Sequence, residues 1–184
     1  RMPCRLRIDL DCLMILRASL GAVSPEEGCA LLLGESAPDL NVRFVWPCCN
    51  VWRPGFGGFN DAITGDRDQP LVSASRRSRF ALDPREQIAA QRWSRQRGWR
   101  VLGSAHSHPE GQPLPSALDR QWAAGEGVMV IDAGVAGVRA WWLQGAGPGG
   151  PDKPVSALSL VVHSQATVGD TVMSCPDGVF LPLQ

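Results

Sequence analysis

Two histidines and an aspartate lie close together in the second half of the sequence, at His106, His108 and Asp119. An apolar run at residues 99–105 predicts a β-strand that ends just before the histidines. Side chains two residues apart on a strand point to the same side, so we expect both imidazoles to face one region. Asp119 occupies the third position of a short predicted helix, for which Ser116 is the N-cap. The carboxylate reaches the imidazoles if the intervening loop folds back.

This set of side chains is typical of a catalytic zinc site, in which two imidazoles and one carboxylate leave a fourth position for water. A structural zinc would close with four protein ligands, often cysteines, and no cysteine lies near this segment. Each part has a simpler interpretation: a histidine at a strand end is usually a hydrogen-bonding or surface residue, and Ser116-x-x-Asp119 alone is a helix capping box. The joint pattern is much rarer by chance, and it predicts one zinc ion per chain at His106, His108 and Asp119.

The elements around this segment alternate as in an α/β domain. Period-two hydrophobicity and short apolar runs predict strands at residues 5–10, 29–33, 41–52, 99–105, 128–131, 138–143 and 155–162. Helical periodicity and capping residues predict helices over 11–22 and 83–98. In the strand at 41–52 we expect Val42, Phe44 and Trp46 to share one face.

The length of 184 residues favours one domain over residues 1–184, and no internal repeat is present. Residues 53–77 interrupt the pattern with four glycines, two prolines and three aspartates. A loop of this length inside a compact domain is usually functional or disordered. We therefore predict a flexible insertion loop at 53–77.

Composition argues against several classes of protein. The formal net charge of zero argues against a nucleic-acid partner. No apolar stretch approaches the roughly 18 residues of a membrane-spanning helix, and the start of the chain does not resemble a signal peptide. Six cysteines without C-x-x-C spacing are too few for a disulfide scaffold, so we expect a cytoplasmic protein. The adjacent Cys48 and Cys49 suggest two alternatives: a redox-active or metal-binding pair, or two cysteines with unrelated roles. Neighbouring residues of a strand face opposite ways, which favours unrelated roles.

The segment around the histidines resembles the JAMM family, also called MPN+ or JAB metalloproteases. The family motif is His-x-His-Pro followed by Ser-x-x-Asp, which here reads His-Ser-His-Pro from His106 and Ser-Ala-Leu-Asp from Ser116. A family segment far upstream, Pro-x-Glu-x-Cys-Gly, matches Pro-Glu-Glu-Gly-Cys-Ala from Pro25, with alanine in place of the glycine. Glu27 is the match to the family's glutamate. The resemblance spans roughly residues 6–145.

The resemblance implies a mixed β-sheet flanked by helices, related to the cytidine-deaminase-like fold. It implies that His106, His108 and Asp119 bind zinc. Glu27 would then act as general base on the zinc-bound water, and Ser116 would donate to the oxyanion. It also implies hydrolysis of amide bonds after the C-terminal Gly-Gly of ubiquitin-like proteins, and the short chain favours the bacterial members, whose partners are sulfur-carrier proteins.

Two other functional classes are alternatives to this isopeptidase. The first is a catalytically silent MPN-type scaffold or partner-binding module, which is disfavoured because all five expected residues are present. The second is a zinc deaminase of related fold, which requires His-x-Glu and Pro-Cys-x-x-Cys. Neither pattern occurs in the sequence. The sequence therefore predicts a zinc-dependent isopeptidase.

Overall fold

A computed structural model describes residues 3–55, 74–122, 125–145 and 154–164. The elements in these residues are β1 (Arg5–Asp9), α1 (Leu10–Gly21), β2 (Cys29–Glu35), β3 (Leu40–Cys48), α2 (Pro84–Arg95), β4 (Arg100–Ser107), α3 (Ala117–Trp122), β5 (Gly127–Asp132), β6 (Val138–Leu143) and β7 (Val155–His163), with a short 3-10 turn between β5 and β6. The strands form one mixed sheet in the order β1-β3-β2-β4-β5-β6-β7, and β7 pairs back with β1. The predicted α/β fold is confirmed.

The beginnings of α1 and α2 follow from local sequence. Asp9 caps α1 and Asp83 caps α2, and each carboxylate accepts a hydrogen bond at 2.9 Å from the backbone N–H two residues on. Pro84 then supplies the first residue of α2, where its missing N–H costs no hydrogen bond. The two caps fix the starting points of the helices on either side of the sheet.

Strand β2 lies at the centre of the sheet, with β3 on one side and β4 on the other. Alternate residues of β2 join two different cores: Ala30 and Leu32 pack with the leucines of α1, and Leu31 and Leu33 pack with Ala90 of α2. Burial on both faces explains why this strand reads as a continuous apolar run.

Strand β3 corrects one prediction. The pairing register between β2 and β3 shifts at Arg43, which has no partner in β2. Val42 and Val45 consequently pack in the core beside α1, whereas Phe44 and Trp46 pack against a tryptophan ring of α2. The expectation that Val42, Phe44 and Trp46 share one face is wrong, because an extra residue reverses the alternation of the strand.

Several boundaries also differ from those predicted. Strand β3 ends at Cys48 instead of at residue 52. Just beyond it, Asn50 forms an isolated bridge with Leu82. Strand β4 continues to Ser107 and so includes the first histidine. The predicted insertion loop at 53–77 lies largely outside the described residues. In the part of the chain that the structure describes, no helix is long and apolar enough to cross a membrane.

Candidate metal centre and active site

The structure brings the side chains of His106, His108 and Asp119 together. The Nε2 atoms of the two histidines are 3.0 Å apart, and each lies 3.4 Å from Oδ2 of Asp119. Zinc bonds of about 2.0–2.1 Å in a tetrahedron place neighbouring ligand atoms about 3.3 Å apart. The three atoms therefore have the spacing of three corners of a tetrahedral zinc site.

His106 lies near the end of β4, opposite Cys29 of β2 and Ile131 of β5. The side chain is completely buried, and its ring stacks on Phe80 with 4.4 Å between the ring centroids. Burial lowers the pKa of His106, so the imidazole is neutral at neutral pH and suited to binding a cation. Its Nδ1 has no hydrogen-bond partner among the described residues.

His108 is oriented by the loop that follows β4. Its Nδ1 lies 2.7 Å from the carbonyl oxygen of Gln112, and a carbonyl can only accept, so Nδ1 carries the proton. The backbone N–H of His108 donates to the carbonyl of Asp132 at 2.9 Å. In the neutral ring the Nε2 lone pair then faces the cluster. This is the tautomer that a metal ligand requires.

Asp119 is held by the first turn of α3. The backbone N–H of Ser116 donates to Oδ2 of Asp119 at 2.7 Å, and the backbone N–H of Asp119 donates to Oγ of Ser116 at 3.1 Å. These reciprocal bonds form the predicted capping box. Burial opposes ionisation of Asp119, but the two neighbouring histidines and the backbone N–H of Ser116 hold its pKa well below the usual range. The carboxylate is therefore charged at neutral pH.

Glu27 lies just before β2, and its side chain lines the same cavity as Asp119. Only 7% of the residue is exposed. Burial raises the pKa of its carboxyl to about 7, with Asp119 adding to the rise and Arg79 opposing it. A carboxyl that titrates near neutrality can both accept and return a proton. Glu26, the neighbouring residue, is not among the residues that line the cavity.

The cavity beside the cluster has a volume of about 440 Å³. Its lining includes the carboxyl residue Glu27, two glutamines of α2 and several apolar residues. The glutamines are Gln87 and Gln91, and the apolar residues include Phe80, Leu82 and Leu118. Residues of β4 and β5 also line it. An extended polypeptide can be held in such a cleft through its own backbone groups.

Sequence reasoning missed the polar groups that orient the site. The Gln112 carbonyl holds His108, and the Asn50 amide donates to the carbonyl of Glu27 at 3.0 Å. Neither belongs to a local pattern, since a backbone carbonyl has no sequence signature and Asn50 is distant from Glu27 in the chain.

The third histidine and two of the cysteines do not belong to the His106, His108 and Asp119 cluster. His163 is on β7, 3.8 Å from Asp9. Cys29 is buried, and burial raises the pKa of the Cys29 and Cys48 thiols to about 12. Both thiols are protonated at neutral pH, which makes them poor metal ligands.

Comparison with known proteins gives one family and several relatives. A family of prokaryotic homologues of the JAB domain matches residues 11–144. A protein of Haloferax volcanii described as a desampylase is 36% identical over 76 residues, which are 40% of this chain and 55% of that protein. The chain thus spans about half the length of this curated relative.

Two solved structures share the fold. A protein of Desulfitobacterium hafniense has a TM-score of 0.64 at 22% identity and covers 87% of this chain and 94% of its own. A protein of Salinibacter ruber has a TM-score of 0.51 at 24% identity, with coverage of 84% and 90%. Both were determined in solution.

Proposed function

This chain belongs to the prokaryotic JAB-domain family, the bacterial type of the JAMM family, and on that premise we propose that it is a zinc-dependent isopeptidase. One observation carries the proposal: three ligand atoms with tetrahedral spacing lie beside a cavity that also holds a buried carboxyl. A carboxyl whose pKa is raised to about 7 by burial in a cavity beside such a cluster is typical of an acid–base group.

The residues fit zinc by their chemistry. His106 offers a neutral imidazole nitrogen, His108 a second imidazole nitrogen and Asp119 a charged carboxylate, and all three ligand atoms lie within 4.8 Å of one another. Two nitrogen lone pairs facing each other at 3.0 Å are repulsive unless a cation or a proton lies between them. When bound there, zinc would polarise the substrate carbonyl and lower the pKa of a water molecule to about 7.

The protein's own groups would handle the protons. Glu27 accepts a proton from the attacking water on a carboxylate oxygen and delivers it to the nitrogen of the leaving amine. Ser116 Oγ accepts the backbone hydrogen bond of Asp119, which leaves its own proton free to donate to the developing oxyanion. Capping and donation use different atoms of the hydroxyl and are compatible.

We propose that the substrate is a ubiquitin-like or sulfur-carrier protein cleaved after its C-terminal Gly-Gly. The family resemblance and the relative described as a desampylase support this class. The ring of Phe80 stacks on His106 beside the cluster, and we propose that it limits the space for a substrate side chain next to the scissile bond. We also propose a single domain over residues 1–184, and a cytoplasmic location stays a prediction.

The test uses a carrier protein fused through its Gly-Gly tail to a lysine-linked reporter, incubated with the zinc-loaded protein. We expect cleavage after Gly-Gly, and a loss of about 10²–10⁴ in kcat for Glu27→Gln with zinc content unchanged. Glu26→Gln is the matched control and should retain activity. A tail ending in Val-Gly should not be cleaved, because a β-branched side chain must fit beside Phe80.

Each outcome decides one part of the proposal. An inactive wild-type protein with zinc bound would favour a silent scaffold instead. Equal rates on Gly-Gly and Val-Gly tails would indicate a general peptidase. Loss of activity in Glu26→Gln, with Glu27→Gln active, would assign the base to the neighbouring residue.

A further inference from the structure

The amide of Asn50 joins three separate stretches of the chain. Its Nδ2 donates to the carbonyl of Glu27 at 3.0 Å and to the carbonyl of Arg79 at 2.9 Å. Its Oδ1 accepts from the backbone N–H of Trp52 at 3.0 Å and of Ala81 at 3.1 Å. A side-chain amide offers two N–H donors and one oxygen with two lone pairs, so all of its capacity is used. We call these four hydrogen bonds the Asn50 clamp.

The Asn50 clamp fixes a glutamate that no secondary structure holds. Glu27 lies between α1 and β2, outside any helix or strand. Its N–H donates to the carbonyl of Arg76 at 2.7 Å, and its carbonyl accepts from Asn50. The next residue, Gly28, is tied to β4 by two hydrogen bonds with Ser107 of 2.8 and 3.0 Å. The Glu27 peptide is therefore held between the clamp on one side and β4 on the other.

The same amide positions the wall of the cavity. Arg79 and Ala81, which it binds, are the two neighbours of Phe80. The Phe80 ring stacks on His106 at 4.4 Å, and both Arg79 and Phe80 line the cavity. One half-buried amide thus holds the backbone of Glu27 and the two residues that flank Phe80.

We propose that Asn50 is a positioning residue for the hydrolysis, which holds the Glu27 carboxyl at the reacting centre without touching substrate or metal. The inference rests on the proposed function. It extends that function from the residues that react to the residue that sets their alignment. Among the described residues Asn50 forms no hydrogen bond with His106, His108 or Asp119, and the last two keep their own local supports when the clamp is removed.

Two substitutions separate the contacts of the clamp. Asn50→Ala removes all four hydrogen bonds. Asn50→Asp keeps the shape and both acceptor contacts but sets an oxygen against the carbonyls of Glu27 and Arg79. Since displacement of a catalytic group by about 1 Å costs about 10²-fold, we expect kcat to fall about 10–100-fold in both variants. Zinc content and zinc affinity should stay at the wild-type value.

A double-mutant cycle distinguishes positioning from general loss of fold. If Asn50 acts through Glu27, Asn50→Ala should add little to the loss already caused by Glu27→Gln, because the misplaced group is no longer a base. Losses that multiply would overturn the proposal. Asn41→Ala is the matched control, since Asn41 lies near the start of β3, bonds Glu35 at the end of β2, and should leave kcat unchanged. Wild-type rates in Asn50→Ala would also overturn it.

Amide hydrogen exchange tests the clamp without any substrate. In Asn50→Ala we expect faster exchange at Glu27 and at residues 79–81, with exchange in 104–107 unchanged. Equal exchange in the wild type and the variant would show that the clamp does not hold Glu27. If the wild-type protein cleaves no carrier, the proposed function fails, while the exchange result still decides whether the clamp exists.

Discussion

The metal-binding half and the proton-transfer half of the candidate site are built in different ways. His106, His108 and Asp119 lie within one stretch of chain, at the end of β4 and in the first turn of α3, and short-range rules orient them. Glu27 lies about 80 residues earlier, and its backbone is held by Asn50 and Arg76. The metal centre is therefore a local structure and the base a long-range one, so each can be disturbed without the other.

Removal of a metal ligand should have the largest effect on activity. We expect His108→Ala to lower zinc from about one ion per chain to near zero. Activity should fall at least ~10³-fold, since a Lewis acid contributes several kcal/mol to catalysis. Only 14% of the His108 side chain is exposed, but it lies outside the hydrophobic core and the fold should persist. Metal analysis by mass spectrometry and a carrier cleavage assay measure the two results.

His163→Ala is the control for that experiment. His163 lies on β7 beside Asp9, away from the cluster, and its loss should leave zinc content unchanged. Stoichiometric zinc in His108→Ala would remove His108 from the ligand set and leave the tetrahedral spacing without a chemical meaning.

The same contrast explains what could be predicted from sequence. The positions of His106, His108 and Asp119 follow from strand alternation and a capping box, both of which are patterns within a few residues. Placement of Glu27 in the cavity required the family motif, because no short-range rule links it to the histidines.

Other features have no sequence signal at all. The shift at Arg43 is set by packing of β3 between two cores, so alternation alone assigned Val42 and Phe44 to one face. The hydrogen bonds of Asn50 depend on the return of the chain at residues 79–81, after the insertion. The bond from the Trp52 N–H to Asn50 Oδ1 is local, but the sequence gives no indication of which distant carbonyls the Asn50 Nδ2 will meet.

A smaller effect on activity is expected at Ser116, which both caps α3 and is the proposed donor to the oxyanion. In Ser116→Ala the backbone N–H still donates to Asp119, so zinc binding should persist. The lost hydroxyl donor should raise the barrier by about 2–4 kcal/mol, which lowers kcat about 30- to 1,000-fold. Loss of the cap should also lower the free energy of unfolding by about 1 kcal/mol.

Ser116→Thr separates these two roles of the hydroxyl. Threonine keeps both the acceptor and the donor, so kcat should recover together with stability. If Ser116→Ala retains nearly full activity while its stability falls, the hydroxyl serves only as a cap of α3.

The smallest effect concerns Glu27 and the stability of the protein without metal. Burial raises the pKa of Glu27 from 4.5 to about 7, so between these values the folded chain binds more protons than the unfolded chain. The stability of the metal-free protein should therefore fall as pH rises from about 4.5 through 7. Glu27→Gln removes this dependence, because glutamine has no charge to bury.

After chelator treatment, we expect Glu27→Gln to become more stable relative to the wild type as pH rises. The difference in free energy of unfolding between the two proteins should grow by about 1–3 kcal/mol from pH 5 to pH 8. Urea denaturation at the two pH values measures it, with Glu26→Gln, whose side chain does not line the cavity, as the control. Parallel pH dependence in all three proteins would mean that the Glu27 carboxyl is solvated in the metal-free chain. In that case the metal, rather than the Asn50 clamp and the burial around it, would be what brings the base into the cavity.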